Sequence, residues 1–253
     1  MDEILRNRLY MRCPSFDGDD KASDQQRGVP HPPLGKAASG EVIRLPEFDG
    51  TVPDISYARL LDMRRSVRRY ANAPMTREQL AFLLWSINGI QCYRGAGNHA
   101  SFRPAPSGGA RHPFEIYAAV KRVEGLAPGL YHYLPALHAG EKSASVEFLD
   151  KIDDANQRIT DALAGQGWAA AAPLILFFTC IPYRAEWRYR EMAHRVMLID
   201  LGHAGQNAML SAAALGLGSC CIGAFNSDLC DAMLGVDGAD EYTVYAIPVG
   251  VPR

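Results

Sequence analysis

Residues 63–70, MRRSVRRY, place four arginines and a serine within eight positions of a chain that carries 26 basic and 28 acidic side chains. A guanidinium binds phosphate through a planar fork of N–H donors, and a serine hydroxyl adds a neutral donor. Arg64, Arg65, Ser66 and Arg68, aimed at one point by a turn, would therefore suit a phosphate monoester. Spacing alone leaves a second reading open, a solvated basic face paired with surface carboxylates. Two further stretches bear on the choice. In PAPSGGARHP, residues 104–113, Pro106, Ser107 and Gly108 offer a hydroxyl and a backbone with little side chain to something flat or bulky. In LGLGSCCIGAFN, residues 215–226, the chain turns through Gly216 and Gly218, and the amides around Gly223 and Ala224 lie open to a planar ligand. A plain turn and a tight packing contact would explain these two stretches equally well.

The elements that carry these stretches are legible from periodicity. A short helix over 56–63 leads into the arginine cluster, which then sits at a helix end. TREQLAFLLWSINGI opens with a T-x-x-Q capping box, Thr76 with Gln79. Leu80, Leu83, Leu84 and Ile87 follow on one face, and Gly89 stops the helix. Residues 91–113 lack either hydrophobic period and read as a long loop. FEIYAAV, GLYHYL and SVEFL alternate with Gly and Pro turns, as in an antiparallel meander. A polar helix is expected over 154–163. APLILFFTC is continuous and apolar, a strand buried on both faces.

Residues 185–215 contain no proline and read as one long helix. Its later half is crowded with Gly202, Ala204, Gly205, Ala208 and Ser211 to Ala214, small residues that let another backbone approach closely. SCCIGAF follows as a strand or strand end, SDLCDAML as a short helix capped by Ser227, and YTVYAIPVG as a last strand. The order is neither strict βαβ alternation nor all-helical, so the fold class is α+β.

With 253 residues, 48% of them hydrophobic and 21% charged, the chain has the length and composition of one large globular domain. Residues 1–40 read as an extended arm, because 13–40 are rich in Pro, Gly, Asp and Ser, and residues 41–253 as the domain. A pI near 6.4 argues against a nucleic-acid binder or a surface built for anionic membrane. The six cysteines show neither C-x-x-C nor a zinc spacing, so they read as reduced thiols, and no metal is expected. No signal-like h-region and no apolar run of membrane-spanning length is present, so the expected location is the cytoplasm.

Taken together and in this order, RRSVRRY, PSGGARHP, GLYHY, EWRYREMAHR with DLGHAGQNAML, and LGLGSCCIGAF resemble the FMN-dependent nitroreductase family over about residues 42–250. Within it, they are similar to the branch of SagB-type dehydrogenases that oxidise peptide azolines. The resemblance implies a nitroreductase-like fold: an antiparallel-rich sheet flanked by helices, with the long helix at the interface of a homodimer. It makes Arg64, Arg65, Ser66 and Arg68 the grip on the FMN phosphate and ribityl chain, with Arg253 as a possible addition. Pro106, Ser107 and Gly108 would touch the flavin from the other subunit. Cys221, Ile222, Gly223 and Ala224 would lie beside the isoalloxazine and give an amide to its N5. The implied activity is ping-pong hydride transfer between NAD(P)H and an organic acceptor such as a nitroaromatic or quinone. Azoline oxidation and non-catalytic FMN binding are the alternatives.

Two departures bear on the substrate. Azoline dehydrogenases carry a Lys-Tyr pair as acid and base where this chain has Arg188 and Tyr189. An arginine stays protonated, so it cannot accept a proton as lysine can, although it can pin an anionic substrate. Tyr189 or water would then supply protons. Gly223 stands where classical nitroreductases often carry a glutamate. His203 reads as an interface or core histidine, and the adjacent Cys220 and Cys221 as packing residues, since neighbouring cysteines rarely close a relaxed disulfide.

Overall fold

A computed structural model of the chain describes residues 2–12 and 21–253. Met1 and residues 13–20 of the expected arm, Cys13 among them, lie outside the described residues, and Glu3–Arg12, expected as part of an extended arm, form a helix instead. A seven-stranded sheet organises the rest. Its strands are β1 (Val42–Arg44), β4 (Phe114–Val120), β5 (Gly129–Tyr133), β6 (Ser145–Asp150), β7 (Leu174–Cys180), β8 (Gly218–Ser219) and β9 (Tyr242–Gly250). They pair antiparallel in the order β1-β6-β5-β4-β7-β9-β8. The expected meander of β4, β5 and β6 is present, and all seven residues of β7 are buried.

Within the stretch read as a loop, β2 (Cys92–Arg94) and β3 (Ala100–Phe102) form a separate hairpin. Among the described residues eight α-helices complete the fold: α1 (Glu3–Arg12), α2 (Tyr57–Met63), α3 (Arg77–Asn88), α4 (Ala155–Ala162), α5 (Gly167–Ala170), α6 (Tyr183–Tyr189), α7 (Ala193–Ala214) and α8 (Ser227–Leu234).

Strand alternation divides the core in two. Ile116, Ala118 and Val120 of β4 point to the face covered by α3 and α7, whereas Tyr117 and Ala119 point to the face covered by α4 and α8. The capping box of α3 is present: Thr76 Oγ1 accepts from Gln79 N at 3.2 Å, and Gln79 Oε1 accepts from Thr76 N at 3.0 Å. Gly89 caps the other end.

The helix expected over 185–215 is broken. After α6 the chain passes through Arg190 at φ +52°, makes a short 3-10 turn, and only then enters α7. In an uninterrupted helix the Trp187 carbonyl would accept from residue 191. Here it accepts from Gln25 N at 2.9 Å, and Trp187 Nε1 donates to Val29 O at 2.8 Å. The arm thus competes for a helix carbonyl. α8 also differs from expectation, since its cap is Asn226, whose Oδ1 accepts from Leu229 N at 3.1 Å, and not Ser227.

Residues 21–40 form neither helix nor strand and lie along the body. Lys36 Nζ donates to Tyr117 Oη at 2.8 Å and to Glu241 at 2.7 Å, while Ser39 Oγ donates to Glu147 at 2.8 Å. The small residues of α7 allow close approach within the chain itself. Ala204, Gly205, Ala208 and Ala212 are buried in the chain's own core with α3 and the sheet, and a Cβ on Gly205 would stand 2.9 Å from Tyr245 Cε1. Of the glycines and alanines in α7, Gly202 alone is exposed. Among the described residues, no helix is long and apolar enough to cross a membrane.

Candidate functional site

α2 ends at Met63, and the arginine cluster follows in extended backbone laid beside β8. Ser66 bridges Ser219, with Val67 N donating to Ser219 O at 2.9 Å. The approach requires glycine at 218, where an added Cβ would be 2.7 Å from Val67 Cβ. Two stretches about 150 residues apart are thus brought edge to edge. Tyr70 pairs with Pro252, and Arg253 N donates to Arg69 O at 3.1 Å. This places the C-terminal residue at the cluster. Arg68, Arg69, Tyr70, Trp168, Ala171 and Arg253 line a hollow of about 590 Å³. The Arg68 guanidinium lies 5.7 Å from the centre of the Trp168 ring, which fixes its plane.

Among the described residues, Arg64, Arg68, Arg69 and Arg253 have no carboxylate partner. Arg65 differs, because its Nη1 donates to the carbonyl of its neighbour Arg64 at 2.7 Å and it is turned to solvent.

Beyond β8, Ile222 exchanges two backbone bonds with Ala246, which leaves Gly223 and Ala224 exposed at the sheet's end. An added Cβ on Gly223 would meet nothing within 4 Å, so the space a glutamate would fill is open. Burial pushes the Cys221 thiol up, against the pull of the Tyr245 hydroxyl and the Arg64 charge, and keeps it neutral. Cys220 is buried and Cys221 half-buried, and both thiols are free. Cys221 therefore lies within reach of the Arg64 charge.

Pro106, Ser107 and Gly108 form a second group with Arg188 and Tyr189. Ser107 Oγ donates to Asp200 Oδ2 at 2.6 Å and Gly108 N donates to Asp200 Oδ1 at 3.0 Å, while Ser107 Oγ accepts from His112 N at 2.9 Å. The Ser107 hydroxyl is thereby engaged within its own chain, and its place in the site is to hold the loop. Burial raises the Asp200 pKa, against the pull of these bonds. Gly109 adopts φ +59°, and an added Cβ there would be 2.7 Å from both Arg188 Cδ and Tyr189 Oη. The α6 pair thus lies on the bare backbone of the glycine loop. The Tyr189 hydroxyl has no hydrogen-bond partner among the described residues, so its proton is available. His203 is exposed on α7 and is not a core residue.

Asp200, Trp168 and Tyr245 escaped the sequence reading. Asp200 alone left a trace there, as the one acid of α7.

Residues 61–251 match the profile of the nitroreductase family. The chain belongs to that family. MJ1384 of Methanocaldococcus jannaschii, assigned to the nitroreductases, is 33% identical over 79% of this chain and 94% of its own length. The trifolitoxin-processing protein TfxB of Rhizobium leguminosarum is 36% identical over 46% of this chain, and the microcin B17-processing protein McbC of Escherichia coli 31% over 46%. Those matches span only 30% and 42% of the two processing proteins. Among solved structures, a nitroreductase-family protein of Anabaena variabilis superposes with a TM-score of 0.71 at 23% identity, over 96% of this chain and 45% of that one. One from Ralstonia eutropha gives 0.64 at 25%, over 88% and 96%. One from Desulfovibrio desulfuricans, solved in complex with FMN, gives 0.51 at 19%, over 79% and 88%. Nitroreductases are in general oxidoreductases, and the antiparallel sheet flanked by helices is their fold.

Proposed function

We propose that this nitroreductase is an FMN-dependent oxidoreductase that passes hydride between NAD(P)H and an organic acceptor such as a quinone or nitroaromatic. The observation that carries the reading is that Arg68, Arg69 and Arg253 line one hollow with no acid partner among the described residues, while Ser66 pairs with Ser219 and Arg64 lies near Cys221, where the backbone runs on to the open Gly223. That donor set fits a planar group bearing a phosphate, and a relative of the same fold is named as an FMN complex. Bound between these residues, FMN would supply the capacity to take up and give back a hydride. The chain's own part is to hold and orient. Arg64, Ser66 and Arg68 would grip the phosphate and ribityl chain, with Arg65 turned away to solvent, and Cys221, Ile222, Gly223 and Ala224 would support the ring. Pro106, Ser107 and Gly108, braced by Asp200, close the pocket from the second subunit. Tyr189 provides the proton for the reduced acceptor. Residues 41–253 form this domain, with 1–40 as its arm.

Similarity to TfxB and McbC favours a second reading, oxidation of azolines in a peptide. Arg188 counts against it, because a guanidinium does not take up the proton that such an oxidation releases. The test is direct. The purified protein should be yellow, should bleach anaerobically with NADH or NADPH, and should recover colour on addition of a quinone. A colourless protein that takes up no added FMN would overturn the reading.

A two-subunit site requires a dimer, and α7 carries a surface for one. Leu198, Ile199, Gly202 and His203 share an exposed face of the helix, with nothing within 4 Å of the Gly202 Cβ position. Ile199→Asp should place an unpaired charge in that interface, give monomers in sedimentation, and lower flavin content with them. Flavin fully retained on a clean monomer would count against a shared site.

A further inference from the structure

We propose that Arg188, with the buried Arg111 behind it, forms an anion subsite that takes the carboxylate of an organic substrate lying on the Gly108–Gly109 backbone. The inference rests on the reading of this pocket as the place where the acceptor binds, and it names the acceptor's charge. Arg188 is exposed at the end of α6, its guanidinium is 5.5 Å from the Tyr189 ring centre, and its stem lies against Gly109. It has no carboxylate partner among the described residues.

Arg111 is 1% exposed and stacks on Trp187 with its guanidinium 4.8 Å from the ring centre. Its Nε donates to Arg184 O at 2.8 Å and its Nη1 to His99 O, while Nη2 is buried without a partner. Its bonds go to carbonyl oxygens, and none goes to a carboxylate. Buried guanidinium groups are ordinarily paired, because desolvating an uncompensated charge is costly.

The surroundings do not supply the missing charge. Arg103, also buried, donates to Ser101 Oγ, Asn88 and Leu34 O, again with no acid. Arg184 holds Glu115, and its Nη1 is left without a partner. The nearby acids are engaged elsewhere: Asp200 with Ser107 and Gly108, Glu186 with His194 at 3.0 Å, and Glu191 with Arg190 at 3.4 Å. His112 adds no positive charge, since burial and Arg103 hold its pKa near 2. Burial lowers Arg111 to about 10, helped by the charges of Arg188 and Arg184, so it remains a cation at neutral pH.

Of three buried arginines, Arg184 alone holds a carboxylate, Asp200 is taken up by Ser107 and Gly108, and Arg111, in the loop that carries the glycine shelf, stands beside the exposed Arg188 guanidinium with no acid of its own. An incoming anion would relieve that excess. A single exposed fork matches the two coplanar oxygens of a carboxylate, whereas the phosphate grip elsewhere in the molecule uses several guanidiniums.

The test uses the protein as purified, saturated with FMN so that the arginine cluster at 64–68 is occupied. Benzoate and its neutral isostere benzamide are titrated by calorimetry at low ionic strength. Benzoate should bind at least about tenfold more tightly than benzamide, the difference expected of one charge-assisted pair, and Arg188→Met should abolish that preference. Equal binding of the two by the parent, or a preference that survives Arg188→Met, would overturn the proposal. NAD(P)H bleaching of the same preparation separates the two claims. Benzoate preference without bleaching leaves the anion subsite standing and removes the hydride-transfer reading, and bleaching without preference does the reverse.

Discussion

Removing the guanidiniums of Arg64 and Arg68 together should lower FMN affinity by roughly a hundredfold, and each alone by at least about tenfold, at about 1.5 kcal/mol per charge-assisted bond. The lower end of the usual range applies, because Arg68 is exposed and Arg64 half-exposed, so solvent screens both. The two lie within one cluster, and the double variant measures their coupling as well as their sum. Trp168 holds the plane of Arg68, so Trp168→Ala should weaken binding by less than Arg68→Ala does, without removing a charge. Quenching of flavin fluorescence on titration gives the affinities. Values equal to the parent's in both single variants would remove the cluster from the cofactor site.

The second large effect is expected at Glu115, far from the arginine cluster in sequence. Its carboxylate is buried and accepts from His132 Nε2 at 2.9 Å, Arg184 Nη2 at 2.5 Å and Lys36 N at 3.2 Å. Burial pushes its pKa up, but Arg184 and His132 outweigh that and hold it near 2, below the ordinary 4.5. Glu115→Gln keeps the volume and one acceptor oxygen yet strands the Arg184 charge, at a cost of about 3 to 5 kcal/mol. Because the folded pKa is depressed, the stabilisation is complete above pH 4.5 and is lost as pH falls towards 2. Stability measured by denaturant titration across that window should fall steeply for the parent and more gently for Glu115→Gln. A loss below about 1 kcal/mol at neutral pH would show that the ion pair is solvated.

These two sites differ in how far they could be read without coordinates. The arginine cluster was legible because its chemistry is local: four guanidiniums and a hydroxyl lie within one short segment, and the helix before it ends where its apolar period ends. The Thr76–Gln79 capping box and the buried strand at 174–180 were legible for the same reason, since capping and periodicity act over a few residues. The choice between a phosphate grip and a solvated basic face was not, because it depends on which acids come near in space.

The tertiary structure decided everything that depends on pairing across the chain. Ser66 finds Ser219, Ser107 finds an acid 93 residues away, and Lys36 finds Glu241 across 205. It also decided where α6 ends, because the Trp187 carbonyl is taken by Gln25 before the helix can use it. It turned Gly205 inward onto Tyr245 and left Gly202 facing out. A helical period states that a face is small and apolar, but whether the chain's own sheet or a second copy covers it is set by contacts distant in sequence, to which no local spacing is sensitive.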